Sequence, residues 1–171
     1  MRKTPGSIPG RRSKNNIMKI SEHISYLEAT KSATAIKKGI DNTPDEVALE
    51  SMKLVATKVY EPVRVHFNKL IGLSSFFRSP KLNKIVGGST SSQHVKGEAM
   101  DIDTDIFGGL TNSEVFNYIW DNLDFDQLIW EFGDDENPDW VHVSYKASNN
   151  RGQVLRTSRN SEGKTITTVL Q

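Results

Sequence analysis

At 171 residues the chain is most simply one domain, long enough to bury a substantial core. A formal net charge of +1, from 22 basic and 21 acidic side chains, argues against a nucleic-acid binder driven by bulk electrostatics. The absence of cysteine excludes a disulfide scaffold and a thiolate-ligated metal site, and no apolar run approaches the length needed to cross a bilayer.

Met1–Asn16 carries five Lys or Arg and no acid, as the start of an export signal does. The apolar stretch that should follow is missing, because Ile17-Met18-Lys19-Ile20 is short and charged. Residues 1–17 are therefore expected to be a disordered basic leader, and no signal peptide is read. Residues 18–171 are expected to form the folded domain, with a core over about 18–146 and a tail over 147–171.

Ser25 followed by Glu28 is a capping-box pattern that predicts a short helix through Ala35 and Ile36, ended by Gly39. Thr43-Pro44-Asp45-Glu46 predicts a second start, with Thr43 as the cap and Pro44 at the first helical position. Leu49, Met52, Ala56, Val59, Val63, Phe67 and Leu70 then recur at spacings of three and four, the stripe of one long helix with a kink or break at Pro62. His66 on that helix and His23 ahead of the first one are expected to be structural.

Ile71 to Phe76 reads as a strand, and Lys81 to Ser92, with Gly87-Gly88 and four hydroxyl residues, as a loop. Ala99 to Asp103 alternates as a half-buried strand, and Thr111 with Glu114 caps a helix. Two strands follow, over Asp126–Phe132 and Trp140–Tyr145, around an acidic loop; the tail is expected to turn as a hairpin near Asn160-Ser161-Glu162-Gly163. Early helices and late strands predict an α+β fold with helices packed on a mainly antiparallel sheet.

The chemistry concentrates in Ser91-Ser92-Gln93-His94-Val95-Lys96-Gly97-Glu98-Ala99-Met100-Asp101 and in Asp139-Trp140-Val141-His142. Strand alternation sends Met100, Ile102, Val141 and Val143 to the core and leaves Asp101 and His142 on one outward face. Gly97 lets the chain turn so that His94 and Asp101 approach one point. Two neutral imidazoles and a carboxylate suit a single zinc ion with one open position. A hydrolytic zinc site also needs a base for its water. Asp139, three residues before His142, ranks first, with Glu131 as competitor or as an outer partner of the site.

The run Arg78-Ser79-Pro80, Gly87-Gly88-Ser89, Ser91-Ser92-Gln93-His94, Gly97-Glu98-Ala99, Asp101-Ile102 and Asp139-Trp140-Val141-His142-Val143-Ser144 resembles the M15 zinc peptidases, most nearly their D-alanyl-D-alanine carboxypeptidase-like branch, which includes phage endolysins. The resemblance spans roughly Met18 to Lys146 and implies a hedgehog/DD-peptidase-like single domain. It implies His94, Asp101 and His142 as zinc ligands, Asp139 as base, and Arg78 as the arginine that binds a substrate carboxylate or carbonyl. Ser92 and Gln93 fall on the substrate side of the same pattern. Two departures stand out. The base is Asp where Glu is commoner, and Phe77 precedes Arg78 where a hydroxylated aromatic is frequent.

The expected function is hydrolysis of peptidoglycan stem peptides or cross-links, by a carboxypeptidase or by an endopeptidase of the endolysin kind. The enzyme is expected to be monomeric, without nucleic-acid or membrane partners, made in the cytoplasm and acting on the wall after release or separate export. A non-catalytic zinc-containing wall-binding or structural module of the same fold is the alternative; the presence of both Asp139 and Arg78 disfavours it.

Overall fold

The computed structural model describes residues 18–171, so the leader expected over residues 1–17 lies outside the described residues. Two short helices stand where one was expected: α1, Tyr26–Thr30, and α2, Ala33–Lys38. Ser25 caps the first by accepting from the Glu28 N–H. At Ser32 the hydroxyl accepts from the Ala35 N–H, so the backbone is offered a second N-terminus and the helix restarts. Gly39 ends α2 in the left-handed conformation, as its place after the apolar residues predicts.

Helix α3, Glu46–Val55, is capped by Asp45 and not by Thr43. The Thr43 N–H is already donated to the Asp41 carboxylate, an Asx turn that holds Thr43 outside the helix. A wider π turn over Ala56–Tyr60 then leads directly into α4, Glu61–Phe67. Pro62 has no N–H to give the previous turn, and the π turn immediately before it is where the helix absorbs that loss. Met52, Val55, Ala56, Val59 and Val63 are fully buried along this run. Leu70 is not part of the stripe, because Asn68 at φ 49° ends the helix first and leaves Leu70 exposed.

Strand β1, Gly72–Ser75, is followed by a helix, α5, Pro80–Ile85, where a loop was expected. Ser79 caps it and Pro80 occupies its first turn, a start signal outweighed in the sequence by the glycines and hydroxyl residues after it. Its Leu82 is buried with Ala35 and Ile40 of the α2 region. The remaining elements are β2, Ala99–Asp103; α6, Asn112–Asn122, with its full Thr111–Glu114 capping box; β3, Gln127–Glu131; β4, Trp140–Ser144; β5, Gln153–Arg159; and β6, Thr165–Val169.

The six strands form one sheet in the order β1-β2-β4-β3-β5-β6. Every neighbouring pair is antiparallel except β3–β5. The fold is therefore α+β with a mainly antiparallel sheet. Met100, Ile102, Leu128, Val141, Val143 and Val154 leave one face of it and are buried against the helices with Met52, Val59, Val115, Phe116 and Ile119. The alternate residues form the opposite face, which carries the site. The two histidines outside the site contact neighbouring side chains: His23 Nδ1 lies 2.6 Å from Glu61 Oε2, and His66 stacks on Tyr118 at 4.0 Å.

A buried carboxylate joins the ends of these strands. Asp126 is fully buried just before β3, with Lys146 Nζ at 2.8 Å, Arg151 Nε at 3.0 Å and the Gln93 amide at 3.1 Å. Burial alone would raise its pKa, but hydrogen bonds from Arg151 and Lys146 hold it well below the usual carboxylate range. A carboxyl depressed in the folded state contributes stability above its unfolded value of about 3.9 and loses it as the pH falls towards the folded value. Asp126→Asn is expected to cost about 3 kcal/mol near neutral pH, lowering the melting temperature by roughly 10 °C for a chain of this size. The difference from wild type should shrink as the pH drops below about 4, which calorimetry across that range checks.

Candidate metal centre

His94 lies on a single 3₁₀ turn, Gln93–Lys96, that Gly97 closes at φ 71°. A side chain at Gly97 would meet the Ala48 carbonyl at 2.3 Å, so glycine is needed both for the turn and for the close approach of α3. The chain then enters β2, and the antiparallel register sets Asp101 directly opposite His142 of β4. Three donor atoms converge as a result. His94 Nε2 is 3.1 Å and His142 Nδ1 2.9 Å from Asp101 Oδ1, and the two nitrogens are 3.2 Å apart.

The donor set fits a metal ion. Donors held about 2.0–2.1 Å from a tetrahedral ion lie roughly 3.3 Å from one another, close to the separations found here. His94 Nδ1 sits 2.6 Å from the Phe76 carbonyl, which fixes the proton on that nitrogen and leaves the Nε2 lone pair aimed at the cluster. Burial pushes the His94 imidazole towards its neutral form. Burial would raise Asp101, yet the His94 and His142 imidazoles beside it hold its carboxyl far below the usual range. Neutral imidazole and ionised carboxylate are the forms in which these groups ligate a metal.

Arg78 braces the cluster from the β1 side. Its Nη2 donates to the second Asp101 oxygen, Oδ2, at 2.5 Å, and its Nε to Ser75 Oγ at 2.8 Å. The guanidinium is part-exposed and also lines a cleft of about 980 Å³ whose walls include Phe132, Trp140 and Arg159 but none of His94, Asp101 and His142. Arg78 is thus the side chain that links the cluster to this cleft.

The two acids proposed for proton transfer occupy different settings. Glu131 pairs with Trp140 across β3–β4, on the same face as His142. It is part-buried, burial pushes its pKa up, and it accepts a hydrogen bond from Thr157 Oγ1 of β5. Asp139 is exposed at the mouth of β4, and its carboxylate has no hydrogen-bond partner among the described residues. Its backbone, by contrast, is held firmly. The N–H donates to the Glu131 carbonyl at 2.9 Å, and its carbonyl accepts from the buried Asn112 amide at 3.0 Å. Gly133 at φ 65° lets the acidic loop fold back, since a side chain there would strike the Asn137 carbonyl at 2.1 Å.

The two remaining expected contacts divide. Ser92 sits just ahead of the His94 turn, part-buried, and makes no side-chain hydrogen bond among the described residues. Gln93 turns inward: its amide nitrogen donates to Asp126 at 3.1 Å and Glu98 at 3.4 Å, and its Oε1 is buried. A side chain committed to a buried carboxylate braces the His94 turn. Phe76, Ser75, Asn112 and Thr157 support the site without having been singled out in the sequence. Phe76 and Asn112 act through contacts to distant groups that leave no local pattern, and Ser75 through Arg78 three residues on; Thr157 required the parallel β3–β5 pairing. A family model described as Peptidase M15 matches residues 22–144, a span that holds every residue of the cluster. No curated protein matches the chain.

Proposed function

The chain belongs to the M15 peptidase family, and from that membership we propose that it is a zinc-dependent hydrolase of peptidoglycan stem peptides or their cross-links. The observation that carries this reading is the convergence of His94 Nε2, Asp101 Oδ1 and His142 Nδ1 within 3.2 Å of one another on the open face of the sheet. These three side chains would hold the ion. Zinc bound there would supply Lewis-acid polarisation and a water of lowered pKa.

The protein's own groups divide the remaining work. Phe76 and Arg78 hold His94 and Asp101 in ligating geometry. Asp139 takes the proton of the attacking water at a carboxylate oxygen and returns it to the departing amine nitrogen. The Arg78 N–H groups not used by Ser75 and Asp101 meet the scissile carbonyl or a terminal carboxylate, where a planar guanidinium stabilises developing negative charge. Ser92, beside the His94 turn, hydrogen-bonds the peptide in this reading. Among the described residues no helix is long and apolar enough to cross a membrane. Action on the wall after release, as a phage lysin acts, accords with this reading.

Incubation of the zinc-loaded protein with purified peptidoglycan, followed by mass spectrometry, tests it. New peptides that differ from their parents by one water are expected, and a chelator should suppress them. No new peptide from either linear or cross-linked stems, or cleavage indifferent to chelation, would overturn the proposal.

A further inference from the structure

The last strand pair adds a charged group to the cleft. Glu131 is level with Thr157 in the parallel β3–β5 register, so Arg159, two residues further, shares the face that carries Trp140 and His142. The cleft of about 980 Å³ is lined by Arg78 near the cluster and, further along, by Trp140, Phe132 and Arg159, with Lys31 also on its wall. The Phe132 and Trp140 rings lie 5.4 Å apart, and the Arg159 guanidinium stands 5.1 Å above the Phe132 ring. Phe132 adopts φ 56°, a conformation that costs a bulky residue energy and that turns the chain at the end of β3.

The tail arginines are not alike. Arg151 is spent on Asp126 and Arg156 on Asp135. Arg159 has no carboxylate partner among the described residues; it is held by the Phe132 ring and by one hydrogen bond to the Gly163 carbonyl at 3.2 Å. A guanidinium stacked on an aromatic ring is pre-organised, and its free N–H edge suits a carboxylate.

Its distance from the chemistry sets the subsite. Leu155 is level with His142 across two strand spacings, and Arg159 lies four residues further along β5. Strand geometry puts it about 16 Å from the cluster, a span that an extended peptide covers in about four or five residues.

We infer that Arg159, stacked on Phe132, anchors a carboxylate of the substrate peptide several residues from the scissile bond, so that the cleft selects acidic peptides over their amidated forms. This rests on the peptidase reading of the same cleft.

The test uses the zinc-loaded protein and two synthetic stem peptides, one with free side-chain carboxylates and one with those groups as carboxamides. Wild type is expected to show about a tenfold lower KM for the acidic peptide. Arg159→Gln should raise that KM about tenfold, leave kcat unchanged and leave the carboxamide peptide unaffected. Equal KM values that Arg159→Gln does not alter, or an equal loss on both peptides, would overturn the inference while leaving the peptidase intact. Cleavage of neither peptide by wild type would overturn both.

Discussion

Asp101→Ala is expected to abolish peptide hydrolysis and to strip the protein of tightly held zinc. Asp101 is the hinge of the cluster: one oxygen meets both histidines and the other meets Arg78. Alanine removes a ligand and the counter-charge of the part-buried Arg78 in one step, leaving two imidazoles beside a cation. Losing an outer partner of a metal site typically costs about 10–100-fold in affinity or activity, so loss of the ligand should exceed 100-fold in both. Elemental analysis of the purified variant and a peptide-cleavage assay check this together. Retained stoichiometric zinc would remove Asp101 from the ligand set, and retained turnover would remove it from the mechanism.

The second large effect separates the two acids. Asp139→Ala should lower kcat by about 10²–10⁴-fold, the usual contribution of a positioned proton-transfer group, while zinc remains bound. Its carboxylate has no partner among the described residues, whereas its backbone is fixed by Glu131 and Asn112. Glu131 is committed to Thr157 and is biased by burial towards its protonated form. Glu131→Gln keeps the shape and an acceptor for Thr157, so its effect should stay near tenfold, that of an outer partner. If Glu131→Gln instead loses 10²-fold or more and Asp139→Ala keeps its turnover, the base is Glu131.

Much of the site's framework was legible because it follows local rules. Strand alternation in Ala99–Asp103 and Trp140–Ser144 assigns Asp101 and His142 to the outward face, and the register of β2 against β4 sets them directly opposite each other. The positive φ at Gly97 and the capping box at Thr111 are likewise readable from a few residues. What was not legible depends on partners far away in the chain. The Phe76 carbonyl that orients His94 carries no side-chain signal at all. Gln93 stands beside His94 in the motif, and only the position of Asp126, 33 residues on, shows that its amide turns inward. The parallel pairing of β3 with β5, which brings Thr157 to Glu131 and Arg159 to the cleft, is set by tertiary packing and not by the turn chemistry of either strand. Helix α5 is a different kind of omission, since its Ser79-Pro80 start signal was present in the sequence.

The most direct test of the central claim is the zinc content of the purified chain, measured alongside peptide cleavage before chelation, after chelation and after zinc is restored. One zinc per chain is expected, with cleavage lost on chelation and recovered on re-addition, and with both zinc and cleavage absent from His94→Ala. A wild-type protein that cleaves peptidoglycan peptides without zinc, or a His94→Ala variant that binds zinc and turns over as wild type does, would contradict the account.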